Sequence, residues 1–257
     1  MLFNDGDAYE KSMGTWSRLV GDVFIKWLSA ENELDWLDVG CGNGAFSELI
    51  VTSCSPKTVH AIDPSTEQID FARTRPAVAG VAKFEVGDAM ALPIDNNSFD
   101  IAVMALVIFF VPKPRKGLAE MIRVVRSGGT VASYTWDTIN QGSPSSLIGR
   151  QLSEMGFTPE SPPNPQVSEM TALGKLWSSG GLIDVESQII NVERQFRDIE
   201  EYWKIASLFP NIQKIIPVLT ETQIDELKAR LEPQLSIGSN GQLIQTATAN
   251  AIKGSVP

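Results

Sequence analysis

The sequence predicts an α/β protein built on a doubly wound, Rossmann-like parallel sheet. Strand-like and helix-like segments alternate through the first half of the chain, as they do in βαβ units. The longest apolar run, from Ile101 to Val111, suits a strand that is covered on both faces. A glycine-rich segment, Gly40 to Gly44, directly follows the first predicted strand, and sheets of this kind bind ligands at that turn.

Each element of this fold follows from local patterning. Apolar residues recur at helical spacing from Trp16 to Leu28, so an amphipathic helix is predicted ahead of the first strand. The proline-rich stretch Thr138–Gln166 is predicted to be irregular. Helices are predicted at Ala45–Thr52, Thr66–Arg75, Lys116–Arg126, Ser168–Ser179, Ile199–Leu208 and Glu221–Leu231. Strands are predicted at Trp36–Val39, Thr58–Ile62, Val81–Val86, Phe99–Leu106, Thr130–Thr135, Ile183–Val192 and Leu243–Ala251.

The composition argues against several classes of partner. A net charge of −10 and a pI near 4.7 disfavour nucleic acid and anionic membrane surfaces, because both select basic faces. The apolar run is shorter than the about 20 residues that a membrane-spanning helix needs. The two cysteines and one histidine are not at ligand spacing, so no metal site is predicted. There is no disulfide pattern and the N-terminal segment is polar, so we expect a cytoplasmic protein.

The segment from Leu37 to Gly44 has glycines at every second position, Gly40, Gly42 and Gly44. Such glycines let the chain turn sharply out of a strand and bring the backbone close to a ligand. A tight strand–helix turn without a ligand is the alternative interpretation, since glycine-rich turns alone are weak evidence.

Two carboxylates follow at the ends of the next two strands. Asp63 could accept hydrogen bonds from ribose hydroxyls, or it could cap the following helix unless Ser65 does so. Asp88, in the turn after the third strand, could accept from an exocyclic amine or could serve the turn alone. Three strand ends would thus each present one polar group at the same edge of the sheet, and one nucleoside-containing ligand would explain all three.

In combination these segments resemble the class I S-adenosylmethionine-dependent methyltransferases. The segment Leu37–Gly44, with Asp38 two residues before the first glycine, is similar to the first motif of that family. Gly87–Pro93 resembles the family's GDA..LP segment, and Arg126–Gly129 resembles its RPGG turn with serine in place of proline. Nearly the whole chain is similar to the ubiquinone/menaquinone-methyltransferase-like branch, whose substrates are small molecules.

The resemblance implies a cofactor and the residues that bind it. The cofactor would be S-adenosyl-L-methionine, with S-adenosyl-L-homocysteine as the product. Asp63 would hold the ribose, Asp88 the adenine amine, and Asp38 would orient the loop or the ammonium of the methionine part. The complete set implied by the family is Asp38, Gly40, Cys41, Gly42, Asp63, Pro64, Asp88, Ala89, Met104 and Ala105.

The family also implies seven strands, with Leu243–Ala251 as an antiparallel last strand, together with an N-terminal helix and helical lid insertions. We expect a single methyltransferase domain over residues 1–257, since no linker or repeat divides the chain. Its parts would be an N-terminal helical cap (1–32), a cofactor-binding core (33–137), two substrate-side insertions (138–167 and 195–238) and the last strand (239–257).

The chain departs from the family after the fourth strand, where many relatives carry a histidine and this sequence reads Leu106–Val111. The single histidine, His60, lies inside the second predicted strand, and we interpret it as structural. No catalytic residue is therefore predicted. The residues predicted either to cover the cofactor or substrate or to pack in the core are Tyr9, Met13, Trp16, Phe109, Tyr202 and Trp203.

These features predict methyl transfer from S-adenosylmethionine to the oxygen, nitrogen or carbon of a small-molecule acceptor. We expect a mainly apolar acceptor cavity and a neutral or weakly polar acceptor. One alternative is an NAD-dependent oxidoreductase, although the turn reads Gly-x-Gly-x-Gly rather than Gly-x-Gly-x-x-Gly. Another is a catalytically silent S-adenosylmethionine-binding protein. The sequence predicts no particular oligomeric state.

Overall fold

A computed structural model describes residues 10–257, apart from the side chains of residues 10 and 11. Eight strands make one sheet within this part of the chain. They are β1 Asp35–Val39, β2 Thr58–Asp63, β3 Ala82–Val86, β4 Phe99–Ala105, β5 Val125–Trp136, β6 Ile183–Phe196, β7 Ser236–Ile237 and β8 Leu243–Ser255.

The sheet is flanked by helices on both faces. A short π-helical turn, Glu10–Gly14, leads directly into the first α-helix. The α-helices of the described chain are α1 Thr15–Leu28, α2 Ala45–Cys54, α3 Thr66–Arg73, α4 Pro114–Val124, α5 Ser146–Glu154, α6 Met170–Ser179, α7 Ile199–Ala206 and α8 Glu221–Leu231. Within residues 10–257, no helix is long and apolar enough to cross a membrane.

The strand order is β3-β2-β1-β4-β5-β8-β6, and β1 to β5 pair in parallel. β8 inserts antiparallel between β5 and β6, and the two-residue β7 adds to β8. The predicted doubly wound sheet with an antiparallel last strand is therefore confirmed, with β7 as an unpredicted eighth strand. The order reverses between β1 and β4, and ligands bind in such sheets at the carboxyl ends of the strands around that point.

Strand alternation divides the core into two layers. On β1 and β4, Trp36, Ile101 and Val103 pack in the layer that contains α1, whereas Leu37 and Met104 pack in the layer of α4 and α6. Successive side chains of a strand point to opposite faces, so neighbouring residues enter different layers. This alternation decides which strand residues can reach a site on either face.

Several predicted boundaries differ from those of the structure. The stretch Thr138–Gln166 contains α5, where Ile148 and Leu152 lie four residues apart and are both fully buried. The helix predicted through Arg126 ends at Val124, because Arg126 belongs to β5 and pairs there with Asp35 and Asp100.

The apolar run Ile101–Val111 is likewise not one strand. β4 ends at Ala105, and Leu106 turns the chain with a left-handed φ of 62°. The remainder of the run forms a turn, so its apolar character reflects burial of a loop rather than of a strand.

Candidate functional site

The loop after β1 is fixed to the end of β2 by backbone hydrogen bonds. The amides of Gly40 and Cys41 both donate to the carbonyl of Ile62, at 2.7 and 3.0 Å. The amide of Gly42 donates to Oδ2 of Asp63 at 2.9 Å. The predicted glycine motif and the predicted acidic strand end are therefore one connected unit.

Two glycines of this loop meet different steric demands. Gly40 has a φ of +80°, and a Cβ added there would lie 2.5 Å from Cγ1 of Val107. Gly42 has a φ of +52°, and a Cβ added there would meet no atom within 4 Å, because it would project into open space. Gly40 is thus required for packing, whereas Gly42 leaves a backbone cradle that a side chain would fill.

That space belongs to a cavity of about 430 Å³ at the carboxyl ends of β1, β2 and β4, which we term the strand-end cavity. Eight of the ten predicted cofactor-binding residues line it, namely Gly40, Cys41, Gly42, Asp63, Pro64, Asp88, Ala89 and Ala105. Asp38 and Met104 do not contribute to the lining.

Asp63 lies between the glycine loop and α3. Its Oδ1 accepts from the amide of Ser65 at 2.9 Å, and the Ser65 hydroxyl accepts from the amide of Gln68 and so caps α3. Burial raises the pKa of Asp63, while the amides of Ser65 and Gly42 act to lower it. Because each carboxylate oxygen can accept a further hydrogen bond, Asp63 can still bind a hydroxyl group in the cavity.

Asp88 and Ala89 form the wall of the cavity that follows β3. Oδ1 of Asp88 accepts from the amide of Met90 at 2.8 Å, which holds the turn and leaves Oδ2 exposed. The amide of Ala89 donates to no acceptor within residues 10–257. A carboxylate oxygen beside an unused N–H matches the amine and the adjacent ring nitrogen of an adenine.

Asp38 is fully buried beneath the loop. Its Oδ2 accepts from the Ser47 hydroxyl at 2.6 Å, and its Oδ1 has no hydrogen-bond partner among the described residues. The pKa of Asp38 is raised to about 7, mainly by burial; the hydrogen bond from Ser47 acts to lower it and the charge of Asp63 adds to the rise. Asp38 lines neither cavity, and its hydrogen bond is to the first turn of α2, the helix that follows the loop.

The side chain of Met104 does not meet the expectation that it borders the cavity. Met104 is fully buried in the layer on the opposite face, where a Cβ at Gly117 would come within 3.3 Å of its Cε. The next residue, Ala105, points to the cavity face because of strand alternation.

A second cavity, of about 550 Å³, lies beside the first, and we term it the adjoining cavity. Leu106 and Phe110 line both cavities and therefore form the boundary between them. Its other lining residues are Met13, Phe109, Trp136, Thr138, Ile139, Gln141, Ser143, Ser145, Ser146, Gly149, Arg150, Ser153, Pro159, Glu160, Ser161, Pro162, Pro210 and Asn211.

Residues 37–133, which contain the glycine loop, Asp63 and Asp88, match the family model described as "Methyltransferase domain". This segment of the chain is a methyltransferase domain. Over 93 residues, 36% of the chain, the sequence is 40% identical to 2-methyl-6-phytyl-1,4-hydroquinone methyltransferase 2 of Oryza sativa. That match spans 26% of the rice protein, so the chain covers well under two thirds of this relative's length.

Two solved structures, one of them a methyltransferase by name, share the fold over almost the whole chain. The YcgJ protein of Bacillus subtilis is 18% identical, with a TM-score of 0.62 over 92% of this chain and 97% of that one. Phosphoethanolamine N-methyltransferase 2 of Haemonchus contortus, in complex with S-adenosyl-L-methionine, is 17% identical. Its TM-score is 0.59 over 97% of this chain and 56% of that one. At these identities the likeness extends the fold of the methyltransferase domain to its flanking elements.

The residues predicted as covers of the methyltransferase domain lie in several places. Met13 and Phe109 line the adjoining cavity. Trp16 and Tyr202 are buried in the core, Tyr202 against Phe196, and neither lines a cavity. Trp203 packs against the same core with Lys228 over its ring, and Tyr9 lies outside the described residues. Of the two interpretations left open for the aromatic residues of α7, the structure shows core packing.

The described part of the methyltransferase domain presents no obvious proton acceptor at the boundary between the cavities. His60 bonds to Glu85 at 3.1 Å and lines neither cavity. Burial raises the pKa of the Cys41 thiol, and the charges of Asp38 and Asp63 raise it further, so this thiol stays protonated at neutral pH. Within residues 10–257, no three metal-binding side chains cluster together.

Several lining residues of the strand-end cavity were not among the predicted cofactor-binding residues, among them Leu106, Val107, Phe110 and Tyr134. The first three lie in the apolar run that had been interpreted as strand. Leu106 donates its amide to the carbonyl of Tyr134 on β5 at 2.8 Å, which helps to hold its left-handed conformation. No sequence signal marks a leucine for such a conformation, although strained residues concentrate at functional sites.

Proposed function

We propose that the protein transfers a methyl group from S-adenosylmethionine to a small molecule. The cofactor binds in the strand-end cavity and the acceptor binds in the adjoining cavity. The observation that carries this proposal is the shared boundary of the two cavities at Leu106 and Phe110. Two ligands that exchange a group must meet at such a boundary.

The residues of the strand-end cavity fit this cofactor. Asp63 offers carboxylate oxygens for the ribose hydroxyls, and Asp88 with the Ala89 amide offers an acceptor and a donor for the adenine edge. The open space beside Gly42 accommodates a ligand against the backbone. The named relatives support the same function, since one methylates a hydroquinone by name and another was solved with S-adenosyl-L-methionine.

Catalysis in this arrangement depends on positioning. When bound, S-adenosylmethionine supplies a methyl group on a positively charged sulfur, which is already an activated electrophile. The chain's own contribution is to hold the acceptor atom at the Leu106–Phe110 boundary and to exclude water there. Such alignment can lower a barrier by roughly 7–11 kcal/mol.

Glu160, the one carboxylate among the described lining residues of the adjoining cavity, is paired with Lys214 at 2.6 Å. An acceptor that is nucleophilic as bound is therefore favoured over one that needs a strong base.

Titration calorimetry with S-adenosylhomocysteine tests the cofactor site. Wild-type protein should bind it, and Asp63→Ala should bind it at least about ten-fold more weakly, because hydrogen bonds to a charged group are worth roughly 1.5–3 kcal/mol. Asp225→Ala serves as the matched control, since Asp225 is exposed on α8 and lines neither cavity. Circular dichroism should show that both variants remain folded.

Methyl transfer is tested with a radiolabelled donor and a panel of small hydroxyl-, amine- and carboxylate-bearing molecules. Transfer to a member of the panel supports the proposal. Binding of NAD in place of S-adenosylhomocysteine would overturn it in favour of an oxidoreductase. Cofactor binding without transfer to any acceptor would favour the silent binding protein.

A further inference from the structure

Of the two charged side chains in the described lining of the adjoining cavity, one has a partner of opposite charge within residues 10–257 and the other has none. Among its described lining residues, Arg150 is the one cation and Glu160 the one carboxylate. Glu160 forms an ion pair with Lys214 outside the cavity wall, at 2.6 Å. Arg150 instead donates to the side-chain oxygens of Gln141, at 3.0 Å, and of Gln234. Both acceptors are neutral, so no carboxylate of the described chain balances the charge of Arg150.

The two glutamines fix the position of the guanidinium group. Gln141 precedes α5 and Gln234 follows α8, so Arg150 is held from two separate parts of the fold. Gln141 has a left-handed φ of 59°, a conformation that costs a residue other than glycine free energy. Because a guanidinium group has five N–H donors and these contacts use two, Arg150 retains donors for a ligand. A donor group held in place before binding loses less entropy when the ligand arrives.

Another part of the wall of the adjoining cavity is apolar. Met13, Phe109, Phe110 and Trp136 form this part. Trp136 is 3% exposed, and its indole N–H has no hydrogen-bond partner among residues 10–257. Indole nitrogen is a donor only, and a buried donor without a partner is costly. The indole nitrogen is fully buried, so Trp136 lines the cavity with the apolar part of its ring.

We propose that the adjoining cavity binds an amphipathic anion, with an aromatic or hydrocarbon body and one carboxylate or phosphate group. Arg150 binds the anionic group, and the aromatic side chains contact the body of the ligand. This inference rests on the proposed function, because it names the class of acceptor that the same site takes. It replaces the sequence-based expectation of a neutral acceptor. One cation matches one anionic group and does not match a polyanion.

Calorimetry with three naphthalene compounds of similar shape tests the proposal. The probes are naphthalene-2-carboxylate, 2-naphthyl phosphate and the neutral naphthalene-2-carboxamide, each titrated into protein saturated with S-adenosylhomocysteine. We expect at least one of the two anions to bind about ten-fold or more tightly than the carboxamide, since hydrogen bonds to charged groups exceed neutral ones. The anion that binds more tightly identifies the group that the site prefers.

Substitution of the arginine locates the effect. Arg150→Gln should weaken binding of the preferred anion about ten-fold and change binding of the carboxamide less than two-fold. Arg115→Gln removes the same charge from an exposed position on α4 that lines neither cavity, and it should leave all three affinities unchanged. Anions that bind no more tightly than the carboxamide, or equal losses in both variants, would overturn the proposal.

The experiment also separates this proposal from the proposed function. Protein that binds S-adenosylhomocysteine but none of the naphthalenes contradicts the anion site and leaves the cofactor site standing. Protein that fails to bind S-adenosylhomocysteine contradicts the methyltransferase function itself. In that case, naphthalene anions titrated into the unsaturated protein still report on Arg150 by the same comparison of variants.

Discussion

Asp38, near the end of β1, and Gly42, in the loop that follows, affect two different properties that can be measured. Gly42 leaves a space that a ligand fills, whereas Asp38 is buried below the loop with one oxygen unpaired. Gly42 affects binding through shape. Asp38 affects stability through its ionisation.

Gly42→Ala should abolish or severely weaken binding of S-adenosylhomocysteine, and Gly42→Val should do so more completely. The new side chain occupies the backbone cradle, and the left-handed φ of +52° adds strain of roughly 1–2 kcal/mol. Gly80→Ala is the matched control, because Gly80 has a φ of +79°, equally open space and no place in either cavity. Calorimetry should show lost binding for Gly42→Ala alone, although both variants lose stability. Normal affinity in Gly42→Ala would remove this loop from the cofactor site.

Asp38→Asn should flatten the dependence of stability on pH. Asp38 has a pKa of about 7 in the folded protein, above the roughly 3.9 of an unfolded chain, so the native state binds the proton more tightly. The free energy of unfolding must then fall as pH rises from about 4 through about 7. Asparagine cannot ionise and can still accept from Ser47, as Asp38 does at 2.6 Å.

Urea unfolding of both proteins at pH 5.5 and pH 8.5 measures this effect. The stability of the wild type relative to the variant should drop by about 1–2 kcal/mol between the two pH values. Burial lowers the pKa of His60, which opposes this trend, but His60 is present in both proteins and cancels in the difference. A relative stability that does not change with pH would show that Asp38 titrates normally.

The residues that could be predicted to lie together are those that directly follow the end of a parallel strand. The glycine loop, Asp63 and Asp88 follow the ends of β1, β2 and β3, and parallel pairing brings those ends together. Of the two predicted residues Met104 and Ala105, only Ala105 lines the strand-end cavity, because a prediction of the strand's end does not fix which face each side chain takes. Arg150 could not be predicted, since its partners Gln141 and Gln234 meet it only in the folded chain.

Among the elements, α4 holds the segment that follows β3. Arg123 donates to the carbonyls of Ile94 and Leu92 at 2.7 and 3.1 Å, and Glu120 accepts from the amide of Leu92 at 2.8 Å. Arg123 and Glu120 also pair with each other at 2.8 Å. One helix therefore anchors the chain that begins at Asp88, which lines the strand-end cavity.

Arg123→Gln should loosen this segment and weaken binding of S-adenosylhomocysteine several-fold, because Asp88 and Ala89 lose their anchored neighbour. We expect a loss of about 1–3 kcal/mol in stability, from hydrogen bonds to a charged group in a partly exposed position. Hydrogen exchange should rise at the amides of residues 90–96. Arg115→Gln, an exposed arginine of the same helix, should leave exchange in this segment unchanged. Unchanged exchange in Arg123→Gln would show that the segment holds its shape without α4.

Periodicity predicted most elements because each buries one regular face. Periodicity failed where a buried segment is not a regular strand or helix, and where a helix buries few residues. The apolar run Ile101–Val111 is buried throughout most of its length, yet only its first half is strand, since Leu106 turns left-handed. Helix α5 was missed because serines and prolines around it suggested loop, while two buried apolar residues one turn apart are enough to dock it.

At the scale of the whole molecule, the net charge and the chemistry of the adjoining cavity both disfavour polyanions. The net charge of −10 creates a field that repels polyanions, although salt screens it beyond roughly 8–10 Å. For a single small anion in the cavity, attraction by the nearby guanidinium group of Arg150 outweighs repulsion by the more distant negative charges. We therefore expect the protein to prefer small anions to nucleic acids.

We predict that the protein does not bind tRNA or duplex DNA with sub-micromolar affinity, even at low salt. Nucleic-acid binding gains most of its free energy from phosphate contacts with several Lys and Arg side chains, and the described lining of the adjoining cavity offers Arg150 alone. Electrophoretic mobility shifts at about 20 mM salt provide the measurement, since screening is weakest there and weak binding is most visible. S-adenosylhomocysteine should be present, so that an empty cofactor site cannot account for a negative result. A shift at sub-micromolar protein that disappears in Arg150→Gln would mean that the cavity accepts a phosphate backbone and that the acceptor is a nucleic acid. A shift that survives this substitution would place a basic surface elsewhere on the chain and would contradict the inference from net charge.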